Sequence, residues 1–237
     1  MKVITIANHK GGVGKTTTAM NVGAGLAEAG GRVLMIDLDS QRNLTGIFLP
    51  DYDGRTVIDA LRDGGELPTV QVRERLALIP SALTLTASAV TDVYSLRRLV
   101  PPEYEWVVID CPPSLDSVTT LALFATDRVI IPLTAEVLPL KGLGTLVDYL
   151  TAVEEARGAG GLLGGIVLTR YDGRKTLSRM VAEQVRDTYG DKVFRTMIRD
   201  NVAIAEAQLS GKTVTEYAPK SNGAKDYADL TAEVLKW

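Results

Sequence analysis

A glycine-rich segment near the N-terminus limits the folds open to this 237-residue chain more than any other feature. Residues 10–17 read Lys-Gly-Gly-Val-Gly-Lys-Thr-Thr, between a short β-branched run at 3–7 and a helical pattern at 16–29. In this strand–loop–helix order, glycines let backbone N–H groups converge on phosphate oxygens at the N-terminus of a helix. The segment therefore predicts a phosphate-binding loop in an α/β fold.

The same alternation of strand-like and helix-like segments continues along the chain. Strands are predicted over residues 3–7, 33–37, 76–80, 107–110, 129–133 and 166–169. Helices are predicted over residues 16–29, 118–125, 142–157, 177–189 and 224–237, and residues 158–165 are expected to be a loop. This rhythm indicates a single P-loop NTPase domain over residues 1–237, with a doubly wound, mainly parallel sheet and helices on both faces. Residues 50–74 show no clear pattern.

Composition excludes several other classes of protein. The single cysteine, Cys111, rules out an intrachain disulfide and is too few for a metal cage built from one chain. No stretch approaches the roughly 20 apolar residues that a spanning helix needs, and the N-terminal residues do not form a signal peptide. We therefore expect a cytoplasmic protein without a membrane partner. A net charge of −3 gives no general reason to expect nucleic-acid binding.

The loop supplies the candidate nucleotide ligands. Lys15 is expected to bridge the β- and γ-phosphates of a nucleoside triphosphate, and the Thr16 hydroxyl is expected to bind Mg²⁺. The expected phosphate cradle consists of Lys10, Gly11, Gly12, Val13, Gly14, Lys15, Thr16 and Thr17.

The second lysine, Lys10, departs from an ordinary P-loop. With it, the segment resembles the deviant Walker A motif of the ParA/MinD family of ATPases. The resemblance implies that ATP and Mg²⁺ are the cofactors. It also implies that Lys10 reaches the phosphates of a partner subunit's nucleotide, so that ATP holds two identical subunits face to face. Lys10 and Lys15 are thereby candidate catalytic residues.

Two aspartate motifs extend the resemblance. Residues 37–43, Asp-Leu-Asp-Ser-Gln-Arg-Asn, are similar to the family's first switch, which implies that Asp39 orients the attacking water and Asp37 supports the outer magnesium shell. Arg42 stands where the family usually has glycine. Residues 110–114, Asp-Cys-Pro-Pro-Ser, resemble the Walker B motif and second switch, which implies that Asp110 holds a magnesium-bound water.

The C-terminal half resembles Soj-like ParA proteins. Residues 201–207 match an Asn-Val-x-Leu-x-Glu-Ala motif, and 217–224 match Tyr-x-Pro-x-Ser-x-Gly-Ala, whose Pro219 is expected near the adenine. The resemblance implies a slow basal ATPase whose ATP-bound dimer binds double-stranded DNA without sequence preference. A ParB-like adaptor would stimulate hydrolysis and release the DNA, which segregates a chromosome, plasmid or other cargo. Such a protein would be associated with the nucleoid.

Basic residues outnumber acidic ones over 166–199, which a solvated helix face explains about as well as a phosphate-binding patch. The candidate DNA-binding residues are Arg170, Arg174, Lys175, Arg179, Arg199 and Lys220.

Two alternatives share the same ATPase core. A MinD-like membrane-associated positioning ATPase needs a cationic amphipathic helix, but residues 224–237 include Asp226, Asp229 and Glu233 as well as lysines. We expect that helix to pack on the body through Tyr227, Leu230, Val234 and Leu235. The second alternative is an enzyme that couples the core to redox or metabolic chemistry, such as a nitrogenase-type iron protein or a cluster carrier. Those proteins need at least two cysteines per subunit, and this chain has one.

Overall fold

The protein is described by a computed structural model that covers residues 1–136 and 139–237, with only the backbone of 139–141. Within those ranges the strands are β1 (Lys2–Ile6), β2 (Val33–Asp37), β3 (Val70–Arg73), β4 (Leu76–Ile79), β5 (Trp106–Asp110), β6 (Arg128–Thr134) and β7 (Leu163–Thr169). The helices there are α1 (Lys15–Glu28), α2 (Asn43–Phe48), α3 (Val57–Asp63), α4 (Ser95–Leu99), α5 (Ser117–Ala125), α6 (Pro139–Arg157), α7 (Thr176–Tyr189), α8 (Val202–Leu209), α9 (Val214–Tyr217) and α10 (Asn222–Val234).

One sheet in the described part of the chain has the strand order β3-β4-β2-β5-β1-β6-β7. Its pairs are parallel except for the antiparallel pair β3–β4. Ile6 lies opposite Asp110 in the β1–β5 register, and Asp37 lies opposite Asp110 in the β2–β5 register. The loops after three central strands therefore leave the same edge of the sheet, where ligands of such sheets bind.

The sheet separates two hydrophobic cores. On β5, Val107 and Ile109 belong to the cluster that includes Leu121 of α5, whereas Val108 belongs to the cluster that includes Leu230 of α10. All five residues of β5 are buried, as expected of a parallel strand covered on both faces. The expectation of a doubly wound, mainly parallel sheet is therefore confirmed.

The sequence missed several elements, among them the short helices α2, α3, α4, α8 and α9, for which no helix was predicted. It did not identify β3, which lies in the unclear 50–74 region and forms a hairpin with β4. The expectation of a loop over residues 158–165 was wrong at its end, because β7 begins at Leu163. Gly164 and Gly165 concealed that strand, since glycine is rare in strands. A Cβ at Gly165 would overlap the Phe194 ring, so the missing side chain makes room for an aromatic residue.

The final helix packs as expected, with one exception. Tyr227, Leu230 and Val234 of α10 are buried, but Leu235 is 42% exposed. Among the described residues, no helix combines the length and hydropathy needed to cross a bilayer.

The contact between α1 and α10 leads to a prediction about stability. A Cβ at Gly25 would lie 2.7 Å from Thr231 Oγ1 and 3.2 Å from its Cβ, and Thr231 is held by a hydrogen bond to the carbonyl oxygen of Tyr227. We expect Gly25→Ala to lower the free energy of unfolding by about 1–2 kcal/mol, since overpacking costs more than the gain in helix propensity. Urea denaturation measures this change.

Gly144→Ala is the matched control, because no heavy atom lies within 4 Å of a Cβ built at that helical glycine. It should raise the free energy of unfolding by roughly 0.5–1 kcal/mol. Equal effects of the two substitutions would show that α1 and α10 are not closely packed at this point.

Candidate nucleotide-binding site

The glycine-rich loop adopts a backbone conformation that only glycine enters at little cost. Gly12 and Gly14 have φ of 73° and 91°, in the left-handed region. Gly14 is also the N-cap of α1 and offers no side-chain cap, so the first N–H groups of α1 remain available to an anion. Thr169 Oγ1 at the end of β7 donates to the carbonyl oxygen of Val13 at 2.9 Å and fixes the loop.

Lys15 is buried at the start of α1. Its Nζ donates to the carbonyl oxygen of Lys10 at 2.9 Å, which bends the side chain back over the loop. Burial lowers the pKa of Lys15, whereas the nearby carboxylates of Asp110 and Asp39 act to raise it. The ammonium group thus lies among the aspartates at the ends of β2 and β5, where a phosphate could replace the carbonyl as its partner.

Thr16 and Asp110 form the candidate magnesium site. Thr16 Oγ1 donates to Asp110 Oδ2 at 2.6 Å, and the other carboxylate oxygen, Oδ1, is buried without a hydrogen-bond partner in the described residues. Burial, and then the charge of Asp37, raise the pKa of Asp110 well above its ordinary value. An unpartnered buried carboxylate oxygen beside a hydroxyl fits a hydrated magnesium ion, which takes oxygen ligands.

The described residues contain no group of three or more His, Cys, Asp or Glu able to hold a metal by itself. Magnesium in nucleotide sites keeps several waters and is bound by one or two protein side chains together with the phosphates. Thr16 and Asp110 supply the two protein side chains that such a site needs.

Asp37 is fully buried, and hydrogen bonds occupy both of its carboxylate oxygens. Oδ1 accepts from the Asp39 N–H at 3.0 Å, and Oδ2 accepts from both the N–H and the hydroxyl of Thr45, at 2.8 and 2.7 Å. Burial raises the pKa of Asp37 to about 6, although the hydrogen bonds from Thr45 act to lower it. The structure places Asp37 beside Asp110, and its role in the outer magnesium shell stays a prediction.

Asp39 lies closer to the open cavity. Its Oδ1 accepts from the Gln41 N–H at 2.9 Å, and its side chain lines a cavity of about 960 Å³ together with the glycine-rich loop. Arg42 follows with a φ of 57°, and its Nη2 donates to the carbonyl oxygen of Tyr52 at 2.9 Å. Arg42 therefore adopts the left-handed conformation that glycine would supply and is tied to the next loop.

Lys10 opens the loop next to α6. Its N–H donates to Asn8 Oδ1 at 3.0 Å, and Asn8 is itself anchored on the carbonyl oxygen of Pro132. A Cβ at Gly142 would lie 3.0 Å from Lys10 Cε and would overlap the His9 ring. Sequence reasoning did not single out Gly142, whose lack of a side chain makes room for both groups.

The first turns of α1 also contact the C-terminal helices, which the sequence did not indicate. Gln208 Nε2 of α8 donates to Thr17 Oγ1 at 2.8 Å, and the N–H of Val214 donates to Asn21 Oδ1 at 2.9 Å. These partners are 191 and 193 residues apart in the chain, so no local pattern could reveal them. The nucleotide loop and α8 are thus directly linked.

The predicted adenine contact is not visible in the cavity lining. Pro219 lies between α9 and α10. Among the described residues, the C-terminal part of the lining includes Gln208 and Tyr227 but not Pro219. Contact between Pro219 and the adenine stays a prediction.

The predicted DNA-binding residues differ in their contacts and in their exposure. Arg174 pairs with Asp172, Nε to Oδ1 at 2.9 Å, and Arg199 pairs with Asp226, Nη2 to Oδ1 at 2.6 Å. Arg179 of α7 donates to backbone oxygens of the segment before that helix, at 2.7 and 3.2 Å. The remaining residues of the set are all exposed, namely Arg170, Lys175 and Lys220.

The structure brings most of this set together at one end of the sheet. Arg170, Arg174, Lys175 and Arg179 occupy the β7–α7 connection and the start of α7, and a parallel bridge between Tyr171 and Arg199 adds the fifth. Lys220 comes from the segment before α10.

Comparisons with known proteins agree with this geometry. Residues 1–159 match a protein-family model described as an AAA domain. The sporulation initiation inhibitor protein Soj of Bacillus subtilis is 38% identical over 248 residues, which cover 98% of each chain. The chain belongs to the ParA/Soj family.

A second ParA/Soj relative is the chromosome-partitioning ATPase Soj of Thermus thermophilus, 40% identical over 98% of this chain and 94% of its own. Among solved structures, cobyrinic acid a,c-diamide synthase from Mycobacterium smegmatis with bound ADP and magnesium is similar at a TM-score of 0.85 and 33% identity. That alignment covers 100% of this chain and 94% of the other. The P-loop ATPase fold of this ParA/Soj chain is thereby confirmed.

The position of Lys15 leads to a prediction about affinity. We expect Lys15→Gln to weaken ATP–Mg²⁺ binding by about 10- to 100-fold, because loss of a charge-assisted hydrogen bond to phosphate costs about 1.5–3 kcal/mol. Isothermal titration calorimetry measures the Kd. Lys225→Gln removes an exposed lysine from α10 and should leave the Kd unchanged. Equal affinities in all three proteins would exclude Lys15 as a phosphate ligand.

Proposed function

We propose that this ParA/Soj-family protein hydrolyses ATP to ADP and phosphate and uses its nucleotide state to control dimerisation and DNA binding. The observation that carries the proposal is the convergence of Lys15, the Thr16–Asp110 pair and Asp39 at one edge of the sheet. Relatives named as chromosome-partitioning ATPases support it.

In this proposal the N–H groups of the loop and Lys15 bind the phosphates, and Thr16 and Asp110 hold the hydrated magnesium ion. When bound, the ion neutralises charge on the β- and γ-phosphates. Asp39 accepts a hydrogen bond from the attacking water and aligns it with the γ-phosphate, which is the positioning on which phosphoryl transfer depends. We propose slow basal turnover, below roughly 1 s⁻¹, because the guanidinium of Arg42 in the first switch is bonded to the carbonyl oxygen of Tyr52.

We also propose ATP-dependent dimerisation, and the place of Lys10 supports it. Within one subunit Lys15 is the proposed phosphate ligand, and its Nζ donates to the carbonyl oxygen of Lys10. We propose that the Lys10 ammonium contacts the nucleotide of a second subunit, so that two ATP molecules lie between the subunits.

We therefore expect Asp39→Ala, which should bind ATP but hydrolyse it slowly, to be monomeric without nucleotide and dimeric with ATP–Mg²⁺. Light scattering coupled to size exclusion measures the mass. Adding Lys10→Ala should abolish the dimer while changing the ATP Kd of the monomer less than Lys15→Gln does. An Asp39→Ala protein that stays monomeric in saturating ATP would contradict the sandwich dimer.

DNA binding is proposed for the exposed cations near α7. Two of the six candidate cations, Arg174 and Arg199, are paired with aspartates, and the protein has a net charge of −3, so a monomer should bind weakly. A dimer presents two such surfaces to one duplex and gains avidity although each surface is unchanged. The cations contact phosphates, so the binding should not depend on sequence.

We expect the Asp39→Ala dimer to bind unrelated duplexes with an affinity that falls steeply with salt. In a plot of the logarithm of the binding constant against the logarithm of the salt concentration, Lys175→Gln in both subunits should make the slope shallower. The expected reduction is about 0.9 for each phosphate that the variant no longer neutralises. Fluorescence anisotropy measures the affinity. Arg55→Gln removes an exposed arginine that pairs with Asp63, and it should leave the slope unchanged. Equal binding with ADP and ATP, or binding to one sequence alone, would refute the proposal.

We further propose that a ParB-like adaptor stimulates hydrolysis, and that the cycle segregates a chromosome, plasmid or other cargo on the nucleoid. A MinD-like membrane role receives no support from α10, whose apolar stripe packs inside through Tyr227, Leu230 and Val234. A protein that is retained on anionic liposomes and not on DNA would favour the MinD-like role over the DNA-binding role.

A further inference from the structure

A chain of buried hydrogen bonds runs behind Asp39, from the end of β4 to the first switch. Ser81, Thr45 and Asp37 are all 0% exposed. The N–H of Ser81 donates to Thr45 Oγ1 at 3.0 Å, and Thr45 Oγ1 donates to Asp37 Oδ2 at 2.7 Å. The chain therefore connects β4, α2 and the end of β2.

The chemistry of each group determines which atom donates and which atom accepts in these hydrogen bonds. A backbone N–H can only donate, so the Thr45 oxygen accepts from Ser81 and its single proton is directed to Asp37. The Thr45 N–H donates to the same carboxylate oxygen at 2.8 Å. One residue thus supplies Asp37 with two donors and prevents rotation of its carboxylate.

Asp37 passes this constraint to Asp39. Its second oxygen, Oδ1, accepts from the backbone N–H of Asp39 at 3.0 Å. Arg42, the N-cap of α2, makes no side-chain capping bond, so Asp37 also satisfies an N–H group at the start of that helix. The orientation of the Asp39 backbone therefore depends on a carboxylate that Thr45 holds in place.

We propose that Thr45 is a positioning residue for ATP hydrolysis, which acts through Asp37 to hold Asp39 in the orientation that aligns the attacking water. The inference rests on the proposed function, in which Asp39 is the residue that contacts the water. Thr45 is 0% exposed and is not among the residues that line the cavity beside Asp39.

The test compares two substitutions at the same position. Thr45→Val has the same shape but no hydroxyl, and Thr45→Ser keeps the hydroxyl. We expect Thr45→Val to lower kcat at least tenfold with the ATP Kd within about twofold of the wild-type value. Thr45→Ser should recover most of the turnover. Thr188→Val removes an exposed hydroxyl that bonds within α7, and its kcat should equal that of the wild type.

A second measurement separates positioning from general loss of structure. In an Asp39→Ala background, Thr45→Val should cause no further fall in kcat, because residues that act as a unit are not additive. A merely structural role would lower kcat by the same factor in both backgrounds, or would weaken ATP binding as well. Circular dichroism confirms that each variant is folded at the assay temperature, and Thr45→Ala replaces Thr45→Val if the latter does not fold.

The outcomes distinguish the two proposals. A wild-type protein that does not hydrolyse ATP overturns the proposed function and the inference with it. A wild-type protein that hydrolyses ATP, with a Thr45→Val variant of equal kcat, overturns the inference alone. Failure of Thr45→Ser to recover turnover also overturns it.

Discussion

β5 pairs in parallel with β1 on one side and with β2 on the other, and the registers place Asp110 beside Ile6 and Asp37. The three loops that follow these strands therefore leave the sheet together. The glycine-rich loop, the first switch and Asp110 come close together because of this pairing, as the Thr16–Asp110 hydrogen bond shows. A shift of one residue in either register would separate them, since side chains alternate between the faces of a sheet.

Burial then determines the electrostatics of the site. Asp37 and Asp110 lie side by side at 0% exposure, and desolvation raises the pKa of both. The structure compensates Asp37 with donors from Thr45 and Asp39, but leaves one oxygen of Asp110 without a partner in the described residues. The two carboxylates therefore differ in their hydrogen-bond partners. Asp37 belongs to the framework of the switch, whereas Asp110 retains an oxygen suited to a hydrated cation.

The helix that follows the nucleotide loop, α1, is hydrogen-bonded to two C-terminal helices. Thr17 accepts a hydrogen bond from Gln208 of α8, and Asn21 accepts one from Val214 of α9. α8 follows the segment that contains Arg199, which is bonded to Asp226 of α10. Hydrogen bonds therefore join α1 to α8 and α9, which lie between the segment of Arg199 and α10 in the chain.

The sequence by itself determined the elements whose signals are local. The glycine-rich loop, the apolar strands and the amphipathic helices depend on residues close to one another in the chain, so their type and most of their bounds could be predicted. The family resemblance added the expected roles of Lys10, Asp39 and Asp110. β3, the start of β7 and the short helices α2, α3, α4, α8 and α9 were missed. β3 is a short hairpin strand, and the pair Gly164–Gly165 carries weak strand propensity. Only the tertiary structure decided the partners of the site residues. It joined Thr45 to Ser81 and Asp37, Gln208 to Thr17, and Arg199 to Asp226. Such contacts depend on strand order and helix packing, which bring together residues far apart in the chain, and periodicity along the sequence does not encode that order.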